Sequence, residues 1–104
     1  MGTFAVTYAY SPATSTGRDE HRPRHVKFLQ EQFDGGRLVK SGPFGPAEDP
    51  GALLIIRADS KADAEALMDQ DPFYRNGLVE QRSIRQWNVV FGSDTAAGAA
   101  AVRN

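Results

Sequence analysis

The stretch from Arg18 to Gly36, RDEHRPRHVKFLQEQFDGG, reads as one amphipathic helix, and it turns a histidine toward its apolar side. At about 100° per residue, Leu29 lies roughly 40° from His25, Phe33 roughly 80° and Val26 roughly 100°. Pro23 belongs in the first turn of such a helix, where its missing amide costs nothing. Gly35-Gly36 stops the helix, because one glycine takes the left-handed conformation at its C-terminal cap. A histidine that looks into a core must be hydrogen-bonded there or bear the cost of burial. The chain offers it a partner in Asp71, at the head of Asp71-Pro72-Phe73.

A chain of 104 residues supports one modest core. One domain is therefore expected over residues 1–91, followed over 92–104 by a mobile, alanine-rich tail with little to bury. Twelve basic and thirteen acidic side chains leave a formal charge of −1 with no long block of one sign. That balance argues against nucleic acid or an anionic membrane as the main partner. Without cysteine there is no disulfide framework, thiolate metal site or thiol nucleophile. The N-terminus enters a strand pattern with no signal-peptide character, so a cytoplasmic location is expected. The longest apolar run, Ala52 to Ile56, is too short to span a bilayer.

Phe4, Val6, Tyr8 and Tyr10 alternate with small residues, the period of a first strand with one heavy face. A loop over Ser11 to Gly17 leads to the helix. Arg37 to Gly42 forms a short second strand, and a turn-rich connection joins it as an antiparallel hairpin to a third strand over Ala52 to Arg57. The third strand is apolar enough to be central and covered on both faces. Ser60 caps a second helix that runs to about Gln70, where Asp71-Pro72 ends it. Phe73 to Gly77 forms one further turn. Leu78 to Phe91 reads as a long last strand in which neither face is cleanly polar, which suggests contact with another subunit.

The resulting order is β-α-β-β-α-β, an α+β, ferredoxin-like arrangement of two helices on one side of a four-stranded antiparallel sheet. Its uncovered face would be apolar enough to mark an association surface, and a homodimer is expected.

Arg22-Pro23-Arg24-His25, the run Gly36 to Pro43, Asp71-Pro72-Phe73, Gly77-Leu78 and Trp87 together resemble the YCII-related (YciI-like) domain family over roughly residues 4 to 91. The resemblance implies a dimeric α+β barrel, in which two ferredoxin-like subunits pack their sheets face to face and each keeps a pocket between sheet and helices. Most members have no known function; one is similar to a dehydrochlorinase acting on a chlorinated trihydroxybenzene, with a histidine-aspartate pair as the proposed centre. Carried over to this chain, that pair is His25 and Asp71.

A carboxylate bonded to one imidazole nitrogen fixes the tautomer and raises the basicity of the other, which suits proton transfer near neutral pH. His25 would be the general acid and base, and Asp71 its orienting partner. The plainer reading is that the two only staple the helices together. Ser41 and Gly42, at the end of the second strand, would offer a hydroxyl and a bare backbone amide to a phenolate or carbonyl oxygen. Arg22, one turn before His25, would pair with an anionic substrate or with Asp71, against the alternative of a surface or inter-subunit salt bridge; Arg18 falls at another family position. His21 and His25 have the four-residue spacing of two metal ligands on a helix, but Pro23 between them and the lack of a third strong ligand favour no metal. No phosphate-binding loop is present, and no cofactor is expected. The function expected is elimination or isomerisation of a small aromatic or enolizable substrate. The alternative is a non-catalytic dimeric domain that binds a small ligand or assists another protein.

Overall fold

The structure, a computed structural model, describes residues 1–92. Its sheet contains β1 (Gly2–Ala9), β2 (Leu38–Pro43), β3 (Gly51–Ala58) and β4 (Gln81–Gln86) in the antiparallel order β2-β3-β1-β4. The helices are α1 (Ser15–Asp34), α2 (Lys61–Met68) and the single turn α3 (Pro72–Arg75). This is the ferredoxin-like α+β arrangement. The expected tail, past Gly92, lies outside the described residues.

Alternation along the strands sorts side chains to two faces. Val6 pairs with Leu54 on one side and Ile84 on the other, and Phe4 pairs with Ile56. These residues join Leu38, Ala64 and Met68 in the core between sheet and helices. Each large apolar side chain buried there contributes about 1.5–3 kcal/mol. Ser60 caps α2 by accepting a hydrogen bond from the Asp63 amide at 3.1 Å. Gly36, at φ 78°, closes α1. Its amide bonds to Phe33 O and that of Arg37 to Gln32 O, the double bond of a Schellman cap.

Four expectations need correction. Helix α1 begins at Ser15, after a 3-10 turn over Pro12–Thr14, so Pro23 lies well inside it rather than in its first turn. The early part has no apolar periodicity to announce it. Tertiary contacts hold it instead: Arg18 is buried, stacks 4.5 Å from the Tyr10 ring centroid, and donates to Ser11 O at 2.9 Å and to Thr14 Oγ1. Second, Val26 and Phe33 do not enter the core; they are 53% and 55% exposed. Third, β4 spans six residues, not the whole of Leu78 to Phe91. Its flanks follow β1 only through single bonds, Glu80 N to Ala9 O and Trp87 N to Thr3 O. Fourth, β3 is central in the sheet but covered by helices on one face only, which leaves Leu53 exposed on the other.

Candidate active site

Asp71 is the hub. Pro72 holds the residue before it in the extended region, and Asp71, at φ −62° and ψ 124°, becomes the N-cap of α3. Its Oδ1 accepts from the Phe73 amide at 3.0 Å and faces His25 Nδ1 at 2.7 Å. Its Oδ2 accepts from the Tyr8 hydroxyl at 2.7 Å. The carboxylate is fully buried at 0% exposure and has a donor on both oxygens, as a buried charge requires. Against an ionised carboxylate, which only accepts, the His25 ring would present its hydrogen on Nδ1 and turn Nε2 away from Asp71.

His25 is fixed a second way. Its ring stacks parallel on Phe73 with centroids 3.8 Å apart, and Tyr10 meets the same phenyl ring edge-on at 6.0 Å. The imidazole keeps 12% of its side chain exposed and lines a cleft of about 600 Å³ between α1 and the sheet. Tyr10, Arg22, Ser41, Gly42 and Phe73 line it too, with a largely aliphatic remainder.

Two phenols respond to this environment. Burial, then the negative charge of Asp71 and its hydrogen bond, raise the Tyr8 pKa far above its ordinary value. Burial and, next, Asp71 push Tyr10 up to about 12, with Arg18 and Arg22 pulling the other way. Both phenols therefore stay protonated through the neutral range, Tyr8 as a donor to Asp71 and Tyr10 with a hydrogen to give.

The model of the YCII-related domain matches residues 3–88. The chain belongs to the YCII-related domain family. Protein YciI of Escherichia coli O6:H1 is 35% identical over 95 residues, which covers 83% of this chain and 97% of that protein. The YciI protein of Shigella flexneri matches to the same extent. Among solved structures, the dehydrochlorinase TftG of Burkholderia phenoliruptrix AC1100, which acts on 5-chloro-2-hydroxyhydroquinone and was solved with 2,5-dihydroxybenzoquinone, aligns with a TM-score of 0.71 at 22% identity. That alignment covers 82% of this chain and 92% of TftG. An antibiotic biosynthesis monooxygenase aligns with a TM-score of 0.56 at 13% identity, covering 88% of this chain and all of its own. At these identities both likenesses speak for the fold alone.

In this YCII-related chain His25 meets Asp71 and shares the lining of the cleft with Ser41 and Gly42, while Asp71 itself is buried and does not line it. Ser41 pairs with Leu54, on the sheet face turned to α1. Arg22 borders the cleft but pairs with Asp19 one turn back, not with Asp71, because Tyr8 and His25 already occupy that carboxylate. His21 turns to Arg24 through its Nδ1, and no group of three metal-ligating side chains occurs among the described residues. Of the later aromatic side chains, Phe73 is in the cleft, Tyr74 lies 3.8 Å beneath Arg82, and Trp87 borders a separate hollow with Leu53 and Ile55 on the open sheet face. Tyr8 and Tyr10 are site residues that sequence reasoning passes over. The signal at Tyr8 is a phenol in the inward register of a core strand, which needs a partner for its hydroxyl. No helix among the described residues is long and apolar enough to cross a membrane.

Proposed function

We propose that this protein is an enzyme that moves a proton on a small aromatic or enolizable substrate, with His25 as general acid and base and Asp71 as its orienting partner. The observation that carries this reading is the 2.7 Å contact between His25 Nδ1 and a buried carboxylate, in a histidine that also lines an open cleft. Nε2 takes a proton from substrate carbon, and the C–H electron pair becomes a π bond. In elimination the leaving group departs with its own bonding pair as an anion; in isomerisation the imidazolium returns the proton to another carbon. Ser41, the Gly42 backbone and Arg22 line the cleft where they would stabilise the oxygen that gains charge. The hydroxylated ring bound by TftG is of the class such a site would take.

The test is incorporation of solvent deuterium into a panel of hydroxylated and chlorinated hydroquinones, followed by NMR. His25→Asn should slow exchange by about 100-fold or more. Exchange at the same rate in His25→Asn would overturn the reading. Saturable binding with no exchange on any member of the panel would favour the non-catalytic, ligand-binding alternative.

The same reading includes a homodimer joined through the open sheet face, where Leu53 and Trp87 are exposed. Sedimentation velocity should give the mass of two chains, and Leu53→Lys should shift it toward one. A wild-type monomer at high concentration would refute the dimer.

A further inference from the structure

The cleft is longer than a single ring, and its chemistry changes along its length. On α1 the residues facing it follow the helical repeat in the order Arg22, His25, Leu29, Phe33. At about 1.5 Å rise per residue, this row spans roughly 16 Å, of which about 12 Å lies beyond His25. The opposing strand, β2, runs back along the helix, so Ser41 stands toward the His25 end and Leu38 toward the Phe33 end. One end thus presents a guanidinium, an imidazole, a phenol and a hydroxyl; the other is mostly hydrocarbon, from Val26, Leu29, Phe33 and Leu38, with Gln30 and Lys40 as its polar neighbours. The volume of about 600 Å³ is that of a site for a ligand well above one ring, within the usual range of roughly 300–1,000 Å³. Val26 and Phe33, on the wall of this cleft, are about half exposed although both are large and apolar.

We propose that the substrate of this site is amphipathic: an acidic, hydroxylated head at Arg22, Tyr10 and His25, joined to an apolar tail that lies along Leu29, Phe33 and Leu38. This rests on the proposed function for the identity of the head and extends it to a tail. The tail covers the exposed part of Phe33 and Val26 and excludes water from the imidazole. Tyr10, protonated and with its hydroxyl unbonded among the described residues, donates to the head.

Isothermal titration with resorcinol and with 4-hexylresorcinol tests this, because the two share a head and differ only in the tail. The wild type should bind the hexyl compound roughly tenfold or more tightly, since each buried methylene contributes about 0.8 kcal/mol. Phe33→Ser, at an exposed position where folding is not at stake, should remove most of that difference and leave resorcinol binding within about twofold. Trp87→Ser, on the other sheet face, should leave the difference intact. Equal affinities in the wild type, a difference that survives Phe33→Ser, or one that disappears with Trp87→Ser instead would each overturn the proposal. The proton-transfer reading is separable, because His25→Asn should slow exchange by about 100-fold or more while preserving the preference for the hexyl compound. A preserved preference in a wild type that shows no exchange would sink the catalytic reading and leave the tail site standing.

Discussion

Tyr8 and His25 hold opposite oxygens of one carboxylate: the hydroxyl of the first bonds Asp71 Oδ2 and the ring of the second faces Oδ1, each at 2.7 Å. The histidine is therefore oriented by the core of the sheet as well as by its own helix. Asp71 cannot rotate toward His25 or away from it without leaving Tyr8 unbonded.

Tyr8→Phe removes that second hold at almost unchanged volume. It should destabilise the fold by about 1–3 kcal/mol, the cost of a buried acceptor left without its donor. Urea denaturation of the variant measures this; an unchanged midpoint would show that Asp71 re-satisfies itself locally.

Asp71→Asn keeps a side chain able to cap α3, since asparagine is as good an N-cap as aspartate. Helix content should persist, while the preference of the His25 ring for the Nδ1–H form should weaken, because an amide can either accept or donate. Nitrogen-15 chemical shifts of the ring read the tautomer directly. Unaltered shifts would deny Asp71 the orienting role.

Alkaline pH should be the weak side of this fold. Folding raises the Tyr8 and Tyr10 pKa values above the ordinary 10.0. Between pH 10 and about 12 the folded chain therefore binds more protons than the unfolded one, so this contribution is complete below pH 10 and falls as pH rises through that window. A thermal melt series should show the melting temperature falling over this range, and less steeply in Tyr10→Phe. A flat profile would contradict the assigned shifts.

Pro23 is exposed inside α1 and deprives the Asp19 carbonyl of its helical partner. Pro23→Ala should stabilise the protein, by up to about 3 kcal/mol if the native helix carries the full penalty. A loss of stability in the same denaturation assay would mean that the ring makes a needed contact.

Much of this was legible in the chain. The period-2 run at Phe4 to Tyr10, the glycine stop after α1 and the Ser60 cap each act locally, so local pattern reveals them. His25 and Asp71 stand out because a histidine in an apolar register and an aspartate before proline both demand partners. The start of α1 was hidden because Arg18 stabilises it from a distance, through the ring of Tyr10. Tyr8 was hidden for a related reason: as one large residue among several in its strand it reads as hydrocarbon, and only the position of Asp71 reveals what its hydroxyl is for. Val89 and Phe91 continue the alternation after the backbone has left the sheet, so the pattern predicts a longer β4 than the chain forms.

The strand that fixes Asp71 and the strand that lines the cleft differ in how firmly they are anchored. β1, which bears Tyr8 and ends beside Tyr10, is laced to a neighbour on each side, whereas β2 is an outermost strand with an irregular register between Leu38 and Lys40. Amide hydrogens of β1 should exchange with solvent only on global unfolding, and those of β2 in smaller openings. Such a division lets β1, through Tyr8 and Asp71, hold the imidazole still while β2 yields to guests of different girth. Uniform protection of both strands would show instead a socket of fixed bore.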